Sequence, residues 1–144
     1  MKPEYSFRTK VINSKEYLFD EIRKKWVIKT PEEVVRQNFW KYLHHEKKYP
    51  KSLITLEKQI LTNGLKKRYD ILIFNNNGLP ELIVECKAPA IKINDDTLSQ
   101  ILSYQKNIQA NYLILTNGVS TYSLYINVAK KKVEFLDDIP SYNS

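Results

Sequence analysis

Lys67-Arg68-Tyr69-Asp70-Ile71-Leu72-Ile73-Phe74, then Asn75-Asn76-Asn77-Gly78, then Leu79-Pro80-Glu81-Leu82-Ile83-Val84-Glu85-Cys86-Lys87-Ala88, is the stretch on which the fold turns. Two runs rich in Ile, Leu, Val and Phe flank an Asn-Gly step, the strongest short-range hairpin signal. With Asn77 and Gly78 as central turn residues, Asn76 pairs with Leu79. Counting outward, Asp70 falls opposite Glu85 and Arg68 opposite Lys87. Strand side chains alternate, so Asp70, Glu85 and Lys87 are expected on one sheet face. Facing carboxylates with Cβ atoms about 5 Å apart are destabilising unless something compensates. A divalent cation would do so.

A second Asn-Gly step, Asn63-Gly64, ends an apolar run from Ser52 to Leu61. A turn centred there puts Gln59 opposite Arg68 and Glu57 opposite Asp70. Asp70 then sits on a central strand between Glu57 and Glu85. Three carboxylates in one row strengthen the case for a cation. The competing reading for Glu57 is a salt bridge to a nearby Lys or Arg.

Upstream, Thr30 reads as an N-cap, Pro31 as the first helical residue and Glu33 as the partner in a capping box. Val35, Phe39, Tyr42 and Leu43 give the helix one apolar stripe. Glu32 lies on that stripe, either as an acid suited to the helix N-terminus or as one aimed at the site. His44 and His45 are adjacent, about 100° apart on the helix, and suit its negative end as surface residues. Residues 1–30 form a leading extension in which Lys25–Lys29 alternates weakly, as a short strand would.

Downstream, Asp95, Asp96 or Thr97 can cap a second helix running to about Gln109, with Leu98, Ile101, Leu102 and Ile108 as its core stripe and Gln105 at its centre. Gln100 and Tyr104 share another face. Asn111–Thr116 reads as a strand that can return parallel to an earlier one. Asn117-Gly118 is a third turn, leading into a strand over Thr121–Val128, and a last apolar trio lies between Lys130 and Asp138. All 3 glycines follow an asparagine, so the chain has no glycine-rich phosphate loop and no dinucleotide fingerprint.

At 144 residues and 42% hydrophobic, the chain suits one globular domain, 1–144, with a core over about 31–138. No apolar run approaches the roughly 20 residues of a membrane span, and the N-terminus lacks a signal-peptide pattern. The single Cys86 permits no intramolecular disulfide, which suits a reducing cytoplasm, and its place in an apolar strand marks it as a core residue. A net charge of +7, with lysines clustered at Lys66-Lys67-Arg68 and Lys130-Lys131-Lys132 among other places, permits a polyanionic partner.

The order helix, strand, strand, strand, helix, strand, strand is that of an α/β domain with a mixed sheet. Asp70, then 14 residues, then Glu85-Cys86-Lys87 resembles the PD-(D/E)XK nuclease superfamily. Tyr69 stands where the name of that superfamily expects Pro. Gln100 and Tyr104 resemble the Gln-x-x-x-Tyr motif of its RecB-type branch. Thr-Pro-Glu-Glu-Val-Val-Arg-Gln (30–37), Glu-Cys-Lys-Ala-Pro (85–89) and Leu-Thr-Asn-Gly (115–118) look like the N-terminal nuclease domain of type I restriction enzyme R subunits. The resemblance implies a restriction-endonuclease-like core, in α-β-β-β-α-β order plus an extra C-terminal strand.

It also implies a chemistry. Asp70 and Glu85 would ligate Mg²⁺ (or Mn²⁺), with the Cys86 carbonyl as a further ligand and Glu57 as an added candidate. Lys87 would position or activate the attacking water. The helix acid would be Glu32, or Glu33 if the face is displaced by one residue. Gln100 and Tyr104 would orient DNA or the site, and Lys92, Lys66, Lys67 and Arg68 are candidate phosphate contacts. Such R subunits carry a helicase motor, for which this chain has no room. The expectation is a Mg²⁺-dependent DNA endonuclease standing alone. The alternatives are a non-cleaving nucleic-acid-binding or assembly module, or a subunit active only with a helicase or another restriction or repair partner. Oligomeric state is left open, a homodimer included.

Overall fold

The computed structural model describes residues 4–62, 64–104, 110–127 and 129–143, with the side chains of Thr62 and Tyr104 outside that description. Two antiparallel hairpins, β1 (Thr9–Ile12), β2 (Lys15–Asp20) and β3 (Lys25–Ile28), form a three-stranded sheet in the order β1-β2-β3. Helix α1 (Pro31–His45) and a 3₁₀ turn (Lys51–Leu53) follow. A six-stranded mixed sheet comes next, in the order β4-β5-β6-β7-β8-β9. Its strands are β4 (Ile54–Thr62), β5 (Leu65–Phe74), β6 (Pro80–Cys86), β7 (Tyr112–Thr116), β8 (Thr121–Asn127) and β9 (Lys132–Leu136). Helix α2 (Asp95–Tyr104) carries the chain from β6 to β7, the parallel pair. The expected helix and strand order from α1 onward is present. It ends in two strands beyond β7 rather than one, because the trio around Phe135 pairs with β8.

Strands β5 and β6 are buried on both sides, as their unbroken apolar runs require. Ile71, Ile73, Leu82, Val84 and Cys86 pack against Val35, Phe39, Trp40 and Leu43 of α1. Leu72, Ile83, Leu113 and Leu115 pack with Leu98 and Ile101 of α2. The result is a sheet between two helical layers, with Cys86 in the core as expected. No helix among the described residues is long and apolar enough to cross a membrane.

The hairpin registers follow the asparagine–glycine steps. Strand β4 pairs with β5 from Ile54–Ile73 to Thr62–Leu65, with Gln59 opposite Arg68; Asn63 itself lies outside the described residues. Strand β5 meets β6 as Ile71–Val84, Leu72–Ile83 and Ile73–Leu82, the predicted register. The turn itself differs. The Asn75 carbonyl accepts from the Gly78 amide at 3.0 Å, and the Asn75 side chain accepts from Asn77 and Leu79. Asn76 and Asn77 are therefore the central residues. Gly78, at φ 78°, follows them in the left-handed region, and a bulge at Phe74 restores the register. A run of three asparagines offers an earlier side-chain cap than the Asn-Gly step alone suggests.

Helix α1 starts as predicted, with the Thr30 hydroxyl accepting from the Glu33 amide at 3.0 Å. Its burial is wider than a single stripe: Arg36, Gln37, Trp40 and Lys41 are buried too. The N-terminal segment contributes on a second face of α1. Lys41 reaches Glu21 at 2.9 Å and the Ser6 carbonyl at 3.0 Å, and Arg23 reaches Glu33 at 3.1 Å. Within the leading extension, residues 4–30 are thus a folded layer in which the expected short strand, β3, is joined by β1 and β2. Helix α2 is capped one residue earlier than expected, by Asn94, whose side chain accepts from the Thr97 amide at 3.0 Å. Gln105 and Ile108 lie outside the described residues.

Candidate active site

Pairing between β5 and β6 runs as far as Ile71–Val84. Beyond it, the amide of Cys86 donates to the Asp70 carboxylate at 2.8 Å, so a side chain replaces the ladder partner. Glu57, across from Asp70 by count, has a left-handed backbone at φ 55°. The side alternation of β5 breaks at the same place, since Tyr69 and Leu72 both join the α2-side core. A non-glycine residue held in that conformation is strained, and such strain collects at functional sites.

The expectation that Asp70, Glu85 and Lys87 share one face is corrected by this break. Asp70 turns to Arg36 of α1, while Glu85 and Lys87 line a cleft of about 320 Å³ against α2. Asp70 and Glu85 remain near enough for the charge of Asp70 to act on the Glu85 carboxyl. Burial first, then the nearby charge of Asp70, push the Glu85 carboxyl up to about 8, with Lys87 pulling the other way.

What offsets the acids in the structure is Arg36. Its guanidinium lies 2.6 Å from Glu57, 2.8 Å from Asp70, 2.8 Å from Glu33 and 3.9 Å from Glu32. Burial works against the charged guanidinium, but Glu33, Asp70 and Glu57 outweigh it and hold its pKa above the ordinary value. Its Nε is buried without a hydrogen-bond partner among the described residues. Glu57 therefore makes the salt bridge that competed with metal ligation, with Arg68 as a second partner at 3.6 Å. Glu33 is not simply a capping residue: its carboxylate is shared by Arg36, Arg23 and Gln37. Glu32 is the acid on the site's open side, 46% exposed, its pKa raised by burial and then by Asp70.

The cleft gathers several of the residues singled out from sequence. Lys67, Arg68, Tyr69, Glu85, Lys87 and Gln100 line it, together with Thr97. Lys66 and Lys92 are exposed but do not line it. Tyr104 belongs to α2, one turn beyond Gln100, with its side chain outside the described residues. His44 caps the end of α1 through Nδ1 and the Tyr49 carbonyl at 2.8 Å, away from the acids. Sequence reasoning missed Arg36, whose spacing of four from Glu32 and three from Glu33 is the signal for ion pairs on a helix.

A larger cavity lined mostly by apolar residues, Phe7, Val35, Phe39 and Gly118 among them, with Glu4 and Asn38, shares no lining residue with the cleft. Gly118 (φ 85°) allows the Asn117 turn to approach α1, since a Cβ there would meet Val35 at 3.4 Å.

With this geometry in view, the comparisons are specific. Residues 31–140 match the family described as type I restriction enzyme R protein N terminus. The chain belongs to that family. No curated protein matches. Among solved structures, a candidate nuclease of the DUF820 group from Anabaena variabilis ATCC 29413 shares the fold, at TM-score 0.50 and 12% identity, over 94% of this chain and 80% of that one. A fragment of a candidate HsdR subunit of a type I restriction enzyme from Vibrio vulnificus YJ016 aligns at TM-score 0.43 and 20% identity over 61% of this chain. This chain spans 19% of the length of the Vibrio protein.

Proposed function

We propose that this R-subunit N-terminal domain is a Mg²⁺-dependent DNA endonuclease centred on Asp70, Glu85 and Lys87. The observation that carries the reading is Glu85 and Lys87 lining a cleft with Lys67, Arg68 and Gln100, with Asp70 near enough for its charge to raise the Glu85 carboxyl. Among the described residues, no three acidic, thiol or imidazole side chains form a ready-made metal cage. The donors fit Mg²⁺ even so, because that ion binds through one or two carboxylates and keeps several waters. Asp70, Glu85 and the Cys86 carbonyl would hold it, and a buried acid raised to about 8 supplies a donor that gains from a cation. Bound Mg²⁺ would supply an activated water and neutralise charge on the phosphate.

The remaining work falls to the chain's own groups. Lys87 Nζ would orient the attacking water and offset charge on the phosphate oxygens. Lys67 and Arg68 would hold flanking phosphates, and Gln100 would border the strand. Arg36 would keep Asp70 and Glu57 in place.

Arg36 also favours a second reading, a non-cleaving binding or partner-dependent module, since it already supplies a positive charge to Asp70. Plasmid nicking by the purified chain with Mg²⁺ or Mn²⁺, beside Asp70→Ala, tests the first. Metal-dependent cutting lost in the variant supports it. DNA binding that weakens with salt, without cutting under either metal, would replace it with the second.

A further inference from the structure

We propose that the three-stranded N-terminal sheet is a second nucleic-acid site, a stacking platform for a single strand. It lies outside residues 31–140, and the cleavage reading makes no use of it. The register places residues in cross-strand rows. Lys10, Tyr17 and Ile28 form one row, and Phe19 and Trp26 form the next, with the Phe19 amide bonded to the Arg8 carbonyl at 2.9 Å. Alternation puts these side chains on one face. The opposite face carries Leu18 and Asp20, both fully buried, so it is the packed side.

The open face has the composition of a single-strand binder. Tyr17, Phe19 and Trp26 are half-buried rings, and Ile28 is 50% exposed. Cations sit over the rings: Arg8 lies 4.7 Å from the Phe19 centroid and 5.5 Å from that of Trp26, and Lys10 lies 4.2 Å from that of Trp26. Lys15 adds a further positive charge on the same face. Among the described residues, no carboxylate within the three strands shares it. Glu16 points the other way and pairs with Lys29 at 3.2 Å, and Glu21, in the turn at its edge, is committed to Lys41 at 2.9 Å.

Rings alternating with cations suit bases that are already unstacked, alongside their phosphates. A duplex keeps its bases stacked inside and offers the rings nothing. The occupant is therefore a single strand, and the chemistry is common to DNA and RNA. The platform is also tied to the site, because Ile28 precedes Glu32 by four residues, a chain path of at most about 15 Å.

The test uses the full chain in EDTA, so that cutting plays no part. Oligodeoxythymidine is titrated in and tryptophan emission followed. Trp26 is half-exposed and Trp40 fully buried, so quenching reports on the platform. The expected result is saturable, salt-sensitive quenching that weakens at least tenfold in Arg8→Ala/Lys10→Ala and persists in Lys87→Ala. Circular dichroism checks that the double variant is folded, and Lys15→Glu, at an exposed position, gives an independent loss. Oligouridine binding alike would extend the site to RNA on the same chemistry. The proposal is overturned by unchanged emission, by undiminished affinity in the folded double variant, by a duplex that quenches as well as the single strand, or by a protein dimer that hides the face. A failure here leaves the cleavage reading standing, and a chain that never cuts can still pass.

Discussion

At the scale of single residues, the account rests on how charge is balanced around Asp70. One guanidinium, 7% exposed, serves Glu33, Glu57 and Asp70 together. Replacing Arg36 by Met leaves those acids without their shared counter-charge, and losing one partner of a buried pair costs about 3–5 kcal/mol. Thermal unfolding in EDTA should show that loss. Added Mg²⁺ should raise the melting temperature of Arg36→Met more than that of the unsubstituted chain, because the freed carboxylates then compete for the ion. Glu85 gives a pH signature. Its folded value of about 8 lies above its ordinary 4.5, so the fold favours the protonated form. That contribution is fully present below the ordinary value and is lost as pH rises through about 8. In EDTA, Glu85→Gln should therefore gain stability relative to the parent between about pH 5 and pH 9. Parallel stability curves for the two proteins would remove Glu85 as the perturbed acid.

At the scale of elements, what was legible came from turn chemistry and capping. Two asparagine–glycine steps marked the registers of β4–β5 and β5–β6, and Thr30-Pro31 set the start of α1. Thr30→Ala should cost about 1 kcal/mol of stability, the usual worth of such a cap. Trp40→Ala should cost about 3–5 kcal/mol, since Trp40 is fully buried between layers. Both are read by denaturant unfolding. A periodicity argument could not see that α1 is covered twice. Arg36 is buried against Glu57 and Asp70 of the large sheet, and Lys41 against Glu21 and Ser6 of the N-terminal segment. Strand β3 was legible as the weak alternation over Lys25–Lys29, whereas β1 and β2 were hidden for a related reason. Their alternation mixes Lys and Arg with aromatic rings, so one face stays open and the apolar signal is weak. The break in β5 at Asp70 was equally hidden, because counting along a strand assumes regular alternation on both sides of every residue.

At the scale of the whole molecule, two layers of helix enclose a mixed sheet, and the parallel step from β6 to β7 places Lys87 beside Thr116, to whose carbonyl its amide donates at 2.9 Å. The fold and the family were readable because Asp70, Glu85-Cys86-Lys87 and the strand order agree with one another. Which cation balances the acids was not readable, since Arg36 is distant in sequence from Asp70 and meets it only through the packing of α1 on the sheet. The net charge of +7 makes DNA binding salt-sensitive on this account, with Lys67 and Arg68 contributing at the cleft. Lys67→Ala/Arg68→Ala should weaken binding to unrelated duplexes by similar factors and flatten its salt dependence in a gel-shift series.

The most direct measurement is the rate of plasmid cutting in Mg²⁺ by Lys87→Ala, taken beside its DNA affinity. The account predicts a rate lower by roughly 10²–10⁴, the usual worth of a group that handles the proton or positions the water, with affinity changed only a few-fold. A variant that cuts as fast as the parent chain would contradict the assignment of the site.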